Sequence, residues 1–311
     1  MKIIQDSHGY INSIMVLILL IPIILLMVLS ISQNEILVNN SVDMFEGNVL
    51  SARTEDFVNQ INIISMESMH NLSYKSVSDG VVISNSSRQL KMIIQNAVNN
   101  LSVDYQNEGI LVDCRIINVV ASTNPFEYNV YYRINSSVIN DSSNRQVSQR
   151  GCMNVSIVNS EYPVYDPYPL FNARVHISGN KYDYDSVYVN DSLSNSYRNA
   201  ESGLIIKKCV YDDYTLHGHS NYSIGDCLQN HYYHLSHDGL CIFCRLENRS
   251  SCIHNGLETF VVSHVHSNQS VVSADHVLFN TTGNQYLGDV IVINSSSFIY
   301  LDNGHRSKYG L

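Results

Sequence analysis

Tryptophan is absent from this 311-residue chain, charged residues make up only 15% of it, and lysine and arginine nowhere form a block. Acidic side chains outnumber basic ones 28 to 18, for a net charge of −10. Binding nucleic-acid phosphates needs concentrated positive charge, so this composition argues against such a partner. The short motifs that mark several enzyme classes are missing as well: there is no HExxH, no GxSxG, no P-loop and no dinucleotide-binding glycine pattern. No internal repeat is evident, and no segment is biased enough to be a low-complexity tail. No residue set in the chain identifies a reaction. What replaces the missing charge is 35 Asn, 42 Ser and 21 Tyr, a surface solvated by amides and hydroxyls.

The longest gap in charge runs from Gly9 to Asn34, and within it residues 15 to 29 are apolar apart from Pro22. As a helix, residues 10 to 31 would be about 33 Å long, enough to cross a hydrocarbon core of roughly 30 Å. Pro22 removes one backbone donor and is expected to kink the helix, which lipid-embedded helices tolerate. Lys2 and the amino terminus, offset by Asp6, favour a cytoplasmic N-terminus by the positive-inside rule. Downstream lie thirteen Asn-x-Ser/Thr triplets, at Asn39, Asn71, Asn85, Asn100, Asn135, Asn140, Asn154, Asn190, Asn221, Asn248, Asn268, Asn280 and Asn294. Chance predicts roughly five from this composition, so the excess points to glycan acceptors on an exported face. A second reading is a cleaved export signal, because Ser30 and Ser32 form a small-x-small pattern.

The short polar leader ending in Gly9, followed at once by the uncharged hydrophobic helix, resembles the N-terminus of archaeal type IV pilin-like proteins. That resemblance implies cleavage after Gly9. It covers about the first 32 residues, and the chain departs from the family pattern with His8 where Lys or Arg is usual and Ile14 where many pilins carry Glu. The C-terminal half is similar to uncharacterised membrane-anchored surface proteins of methanogenic archaea. The likeness lies in Cys241-Ile-Phe-Cys244-Arg-Leu-Glu, Ser251-Cys252-Ile-His254, Glu258-Thr-Phe260, Asp275-His276-Val-Leu-Phe279 and Leu301-Asp-Asn-Gly-His305-Arg. It implies a location and no activity.

Beyond the membrane segment, apolar positions at Leu37, Val42, Phe45, Val49, Phe57, Ile61, Ile64 and Met69 recur every three or four residues. That spacing predicts an amphipathic stem helix, with a break near Gly47, and a second helix over residues 87–101 uses Leu90, Ile93, Ile94 and Val98. From Ile110 the period becomes two, predicting three strands of an antiparallel meander over 109–121, 127–138 and 146–159. Three of the five prolines fall within residues 162–169, the best boundary in the chain. The stretch from there to Ala200 reads as irregular, and short strands are expected at 204–208, 258–264, 270–279, 287–294 and 297–302. The expected fold class is thus α+β. A leader (1–9) precedes one transmembrane helix (10–32), a helical stem (33–105), an antiparallel β meander (106–160), a proline-rich boundary (161–169) and a β-rich Cys/His domain (170–311).

Five of seven cysteines and nine of thirteen histidines lie between Cys209 and His276. Cys241-x-x-Cys244 followed by Cys252-x-His254 supplies three thiolates and one imidazole, the set used by a closed tetrahedral zinc site. CxxC lets two sulfurs converge from one tight turn, and positions 252 and 254 share a side if extended. Four cysteines then remain, and Cys114 with Cys152 and Cys209 with Cys227 are the expected disulfides. The competing reading makes disulfides within Cys241 to Cys252 instead. His231, His234 and His237 are alternatives to His254. His264, His266, Asp275 and His276 could bring a metal to adjacent strands, but no catalytic residue is assigned. The chain therefore reads as a single-pass membrane-anchored surface protein of structural or adhesive role. Lipid is its first partner, like subunits or cell-envelope components are others this role allows, and a structural zinc is its cofactor. The rival is an anchored metal-dependent hydrolase acting on cell-envelope material.

Overall fold

The computed structural model describes residues 7–139, 146–172, 175–178, 181–184, 205–211, 213–219, 221–263, 270–275, 289–294, 297–301 and 303–311. It is a mixed α+β protein built on one long helix, α1 (Ser7–Asp79), of 73 residues. At 1.5 Å per residue that is about 110 Å of rod. Pro22 lies inside it, and no break occurs at Gly47. A helical glycine costs about 1 kcal/mol, a penalty the packed turns beyond it offset. Those turns bury Leu50, Thr54, Phe57, Ile61, Ser65, Met69, Leu72 and Ser76, in steps of three and four. Val49, expected on the inner face, is 40% exposed and Leu50 takes its place. Small serines on this stripe let the sheet approach closely: Tyr128 donates its hydroxyl proton to the Ser65 carbonyl at 2.6 Å. An 18-residue window, Leu20–Leu37, has a mean hydropathy of 1.9 and none of it is buried.

Helix α2 (Ser86–Asn107) folds back on α1 and buries Leu90, Ile94, Val98 and Tyr105. Strands β1 (Ile110–Ala121), β2 (Glu127–Val138) and β3 (Gln146–Ser156) form the expected antiparallel meander in the order β1-β2-β3. β1 and β2 alternate between buried and exposed side chains, and an extra residue between Ile116 and Asn118 makes a bulge. One face of this sheet covers the α1–α2 hairpin.

The proline-rich segment is packed, with Val164, Tyr165, Asp166 and Tyr168 buried. The His70 Nδ1 meets the Pro163 carbonyl at 2.7 Å, and the Tyr165 amide donates to the Ser73 hydroxyl at 3.0 Å. A five-residue helix, α3 (Tyr168–Asn172), follows. The stretch expected to be irregular contains a hairpin of β4 (Val175–Ser178) and β5 (Lys181–Tyr184).

The distal part is a six-stranded mixed sheet in the order β10-β11-β9-β8-β7-β6, with two parallel pairings, β11 with β9 and β6 with β7. Its strands are β6 (Lys207–Lys208), β7 (Tyr232–Ser236), β8 (Gly256–Ser263), β9 (Ser270–Ala274), β10 (Asp289–Asn294) and β11 (Ser297–Leu301). Between them lie a 3-10 turn (Tyr214–His219) and helices α4 (Asn221–Asn230) and α5 (Ile242–Leu246), and α6 (Asn303–Tyr309) closes the chain. None of these helices is visible as periodicity, because each spans three turns or fewer.

The two halves share one hydrophobic core, which runs from Phe57, Leu90 and Ile116 to Tyr233, Phe243, Leu246 and Leu257. Polar contacts join them too. Glu247, just past α5, accepts from the Ser86 amide and hydroxyl, both at 2.8 Å, and so caps α2 with a carboxylate from the distal sequence. Deeper in, Arg245 is 1% exposed and joins three distant segments. Its Nη2 and Nε contact Asp166 Oδ2 at 2.6 and 2.9 Å, its Nη1 donates to the Leu257 carbonyl at 3.0 Å, and Nη2 also pairs with Asp275. Tyr168 offers its ring face to the guanidinium at 4.8 Å. Burial opposes the charge on Arg245, but Asp166 and Asp275 outweigh it and hold the guanidinium protonated.

Candidate metal centres

Two groups of four Cys and His side chains, among the described residues, bring one ligand atom each within 4.8 Å of one another: Cys241, Cys244, Cys252 and His254, and Cys209, His217, Cys227 and His234. A tetrahedral zinc site with metal–sulfur bonds of about 2.3 Å has sulfur–sulfur edges of about 3.8 Å, so both groups have the right scale.

The first group is the set expected from spacing. All four ligands lie in a loop whose neck is the Leu240–Leu257 bridge, where the Leu257 amide donates to the Leu240 carbonyl at 3.0 Å. The neck is glycine-lined: a Cβ on Gly256 would come 2.1 Å from the Gly239 carbonyl group, so the two strands could not cross with larger residues. Cys241 caps α5 and Cys244 sits inside it, so the CxxC is one helical turn and not a bare turn. The Arg249 amide donates to the Cys244 carbonyl at 3.0 Å and the Asn248 amide to that of Arg245 at 3.2 Å, with Asn248 at a φ of 48°. That is a Schellman stop, which turns the chain back at once. Residues 252 and 254 are in a bend and not in a strand, yet they converge: His254 Nδ1 lies 3.4 Å from the Cys252 sulfur and 3.7 Å from that of Cys241. The Cys252 sulfur also accepts from the His254 amide at 3.3 Å, a contact that favours thiolate. Cys241 and Cys244 are buried, Cys252 is half-buried and His254 exposed.

Charge is shared unevenly among these thiols. Hydrogen bonds from Cys241 and then Cys244 hold the Cys252 thiol well below its usual range. Cys244 is pushed up by its contacts with Cys241 and Cys252 and by burial. For Cys241 the bond from Cys244 lowers the pKa, but Cys252 and burial outweigh it and raise it to about 11. One thiol ionises readily and its neighbours resist, because a thiolate this close repels a second negative charge and accepts its neighbours' protons.

The second group contains residues that spacing assigned otherwise. Cys209 follows β6, His217 is on the 3-10 turn, Cys227 on α4 and His234 on β7, and all four are buried. Cys209 and Cys227 were expected to be a disulfide. Their sulfurs are 3.3 Å apart, both thiols are free, and His217 Nε2 stands 3.6 and 3.2 Å from them. A disulfide needs about 2.05 Å. The other expected disulfide does not form either: β2 lies between β1 and β3, and Cys114 is on the buried face while Cys152 is on the exposed one. Cys227 and, against burial, His217 and His234 hold Cys209 at a pKa of about 3. Burial lowers the pKa of His234, with Cys209 opposing, which favours the neutral imidazole a metal requires.

Of the alternatives to His254, His234 belongs to the second group, and His237 Nδ1 contacts Asn255 Oδ1 at 3.1 Å. His231 is buried, with a pKa that burial first and Lys207 second depress from 6.5 to about 3. Its stabilising preference for the neutral form is whole above about 6.5 and is lost as pH falls toward 3, because there the unfolded chain binds the proton and the native one does not. His231→Asn, which tolerates the φ of 54° at this position, should flatten the acid limb of a stability–pH curve by up to about 1.4 kcal/mol per pH unit. Denaturant titrations of both proteins between pH 7 and 4 at equal zinc measure this; parallel curves would refute it.

Asp275 holds Arg245 and faces no metal group, while His264, His266 and His276 lie outside the described residues. An open depression of about 340 Å³ is lined by Tyr214, His237, Asp238, His305 and Lys308, with His305 Nε2 3.3 Å from Glu258. It is separate from the first Cys/His group. No protein-family profile, no curated protein and no solved structure matches this chain.

Proposed function

We propose that the chain is an exported surface protein, anchored by the N-terminal part of α1, with a structural or adhesive role and a zinc-stabilised distal part. One observation carries this reading: a single helix packs into a folded core from Leu50 onward, while Leu20–Leu37 of the same helix is wholly unburied at a mean hydropathy of 1.9. Exposed apolar surface on that scale requires a covering, and a bilayer matches its length and its lack of charge. The glycan acceptors agree, since Asn71, Asn85, Asn100, Asn135, Asn154 and Asn248 are all exposed. A long N-terminal helix whose outer half packs on an antiparallel sheet is also the arrangement implied by the pilin-like N-terminus, which adds like subunits as partners.

In this reading Cys241, Cys244, Cys252 and His254 hold zinc as a closed structural site. Three thiolates and an imidazole suit zinc, and four protein ligands leave no position for a reacting water, which disfavours the hydrolase. Fractionation of cells should find the chain in membranes with its N-terminus outside the glycosylated part, and glycosidase treatment should lower its apparent mass. Uncut chain in the cytosol with bare asparagines would overturn the anchor. N-terminal sequencing separates a retained leader from cleavage after Gly9 or Ser32. For the metal, Cys241→Ser and Cys244→Ser should each remove about one equivalent of zinc and lower thermal stability, while Cys114→Ser and Cys152→Ser should leave the zinc content unchanged. Unaltered zinc in the first two variants would eliminate this site.

A further inference from the structure

We infer that Cys209, His217, Cys227 and His234 form a second zinc site, sealed inside the protein and electrically neutral. It is carried by different observations from the site at Cys241, and either can fail without the other.

Geometry comes first. Four ligand atoms from four successive elements converge within 4.8 Å, with edges of 3.2, 3.3 and 3.6 Å among Cys209, His217 and Cys227. Nothing in ordinary core packing calls for two thiols and two imidazoles at one point. Among the described residues, neither ring nitrogen of His234 has a hydrogen-bond partner of regular geometry, while His217 turns Nε2 to both sulfurs. Burying such groups unpaired is costly, and a metal would take up one nitrogen of each ring.

The surroundings are those of a closed site. Tyr211, Tyr214, Phe260 and Tyr309 stand with ring centroids 4.8 to 5.8 Å from His217 or His234, fixing the imidazole planes edge-on. Gly310 closes the group from one side: a Cβ on Gly218, next to His217, would come 1.9 Å from the Gly310 carbonyl oxygen. Charge decides why this set and not a three-thiolate set is buried. Two thiolates with a divalent cation sum to zero and can be desolvated, whereas the three thiolates of the Cys241 site leave one negative charge, and that site keeps Cys252 and His254 toward solvent. Soft sulfur and imidazole donors in a tetrahedral set select zinc.

The full-length protein, extracted in detergent, should contain two equivalents of zinc. Cys227→Ser should lower this to one, and Cys241→Ser/Cys244→Ser should also leave one. Because Cys227→Ser can unfold the distal part, the wild-type chain supplies an independent readout. Under native conditions Cys209 and Cys227 should resist alkylation, as mapped by peptide mass spectrometry, and should become reactive when a zinc chelator is added. A zinc content that Cys227→Ser leaves at the wild-type value, a Cys209–Cys227 disulfide in the native protein, or alkylation unaffected by the chelator would each overturn the second site. Loss of zinc in the Cys241 variants alone would leave only the first.

Discussion

Chelation of the intact protein at neutral pH should abolish amide-exchange protection in the 3-10 turn and α4 while β1, β2 and α2 keep theirs. The reason lies in how little apolar material surrounds the second Cys/His group. Among the described residues its buried cluster is Ile224, Leu228, Phe260, Ala274, Leu301 and Tyr309 beside Cys209 and Cys227. A core of that size cannot offset the conformational entropy of the elements around it. Structural zinc contributes apparent free energies of about 10–16 kcal/mol in small domains, comparable with the whole stability of an ordinary fold. The helical hairpin and meander, by contrast, close over a much larger core, Phe57, Ile61, Leu90, Ile94, Ile116, Tyr128 and Ile134 among others, to which Cys241 and Cys244 add only one edge. Restoring zinc should restore protection. Exchange unchanged by chelation would mean that side-chain packing alone holds the distal part.

Arg245→Met should destabilise the protein by about 3–5 kcal/mol, the range for breaking a buried ion pair from one side. The methionine fits the volume, but Asp166 and Asp275, both fully buried, lose their cation. Asp166 would still accept the Tyr233 hydroxyl at 2.8 Å. Asp275→Asn, which removes one negative charge and keeps an acceptor, should cost less than Arg245→Met. Adding it to Arg245→Met should recover part of the loss. Denaturant melts of the three variants test this, and an Arg245→Met midpoint equal to wild type would show the network to be dispensable. The same change should weaken the first metal site, since Arg245 lies next to Cys244 and fixes the turn that presents it.

The site at Cys241 was legible because its ligands are close in sequence. CxxC and CxH confine the search to a short loop, and any compact path through it brings the sulfurs together. Even so, the local conformations were misread: the CxxC is helical and residues 252–254 bend. The second site was invisible for the opposite reason. Its ligands are separated by seven, nine and six residues with no repeated spacing, and Cys209 with Cys227 fits a disulfide equally well. Only the position of His217 and His234 distinguishes the two outcomes. Enrichment of Cys and His beyond residue 209 was the one available signal, and it was absorbed by the first site.

By itself the sequence determined the apolar stretch of α1, the α1–α2 hairpin and the three-stranded meander. Hydrophobic runs and periods of 3.6 and 2 are properties of neighbouring residues, and they act before any distant contact forms. The tertiary structure decided the rest: that the proline-rich segment is buried and contributes Asp166 to Arg245, that Glu247 caps α2, and that four scattered ligands meet behind the C-terminal helix. Those outcomes depend on partners 79, 161 and up to 25 positions apart. At such separations no local preference sets the distance between two side chains, and only the closing of a shared core does.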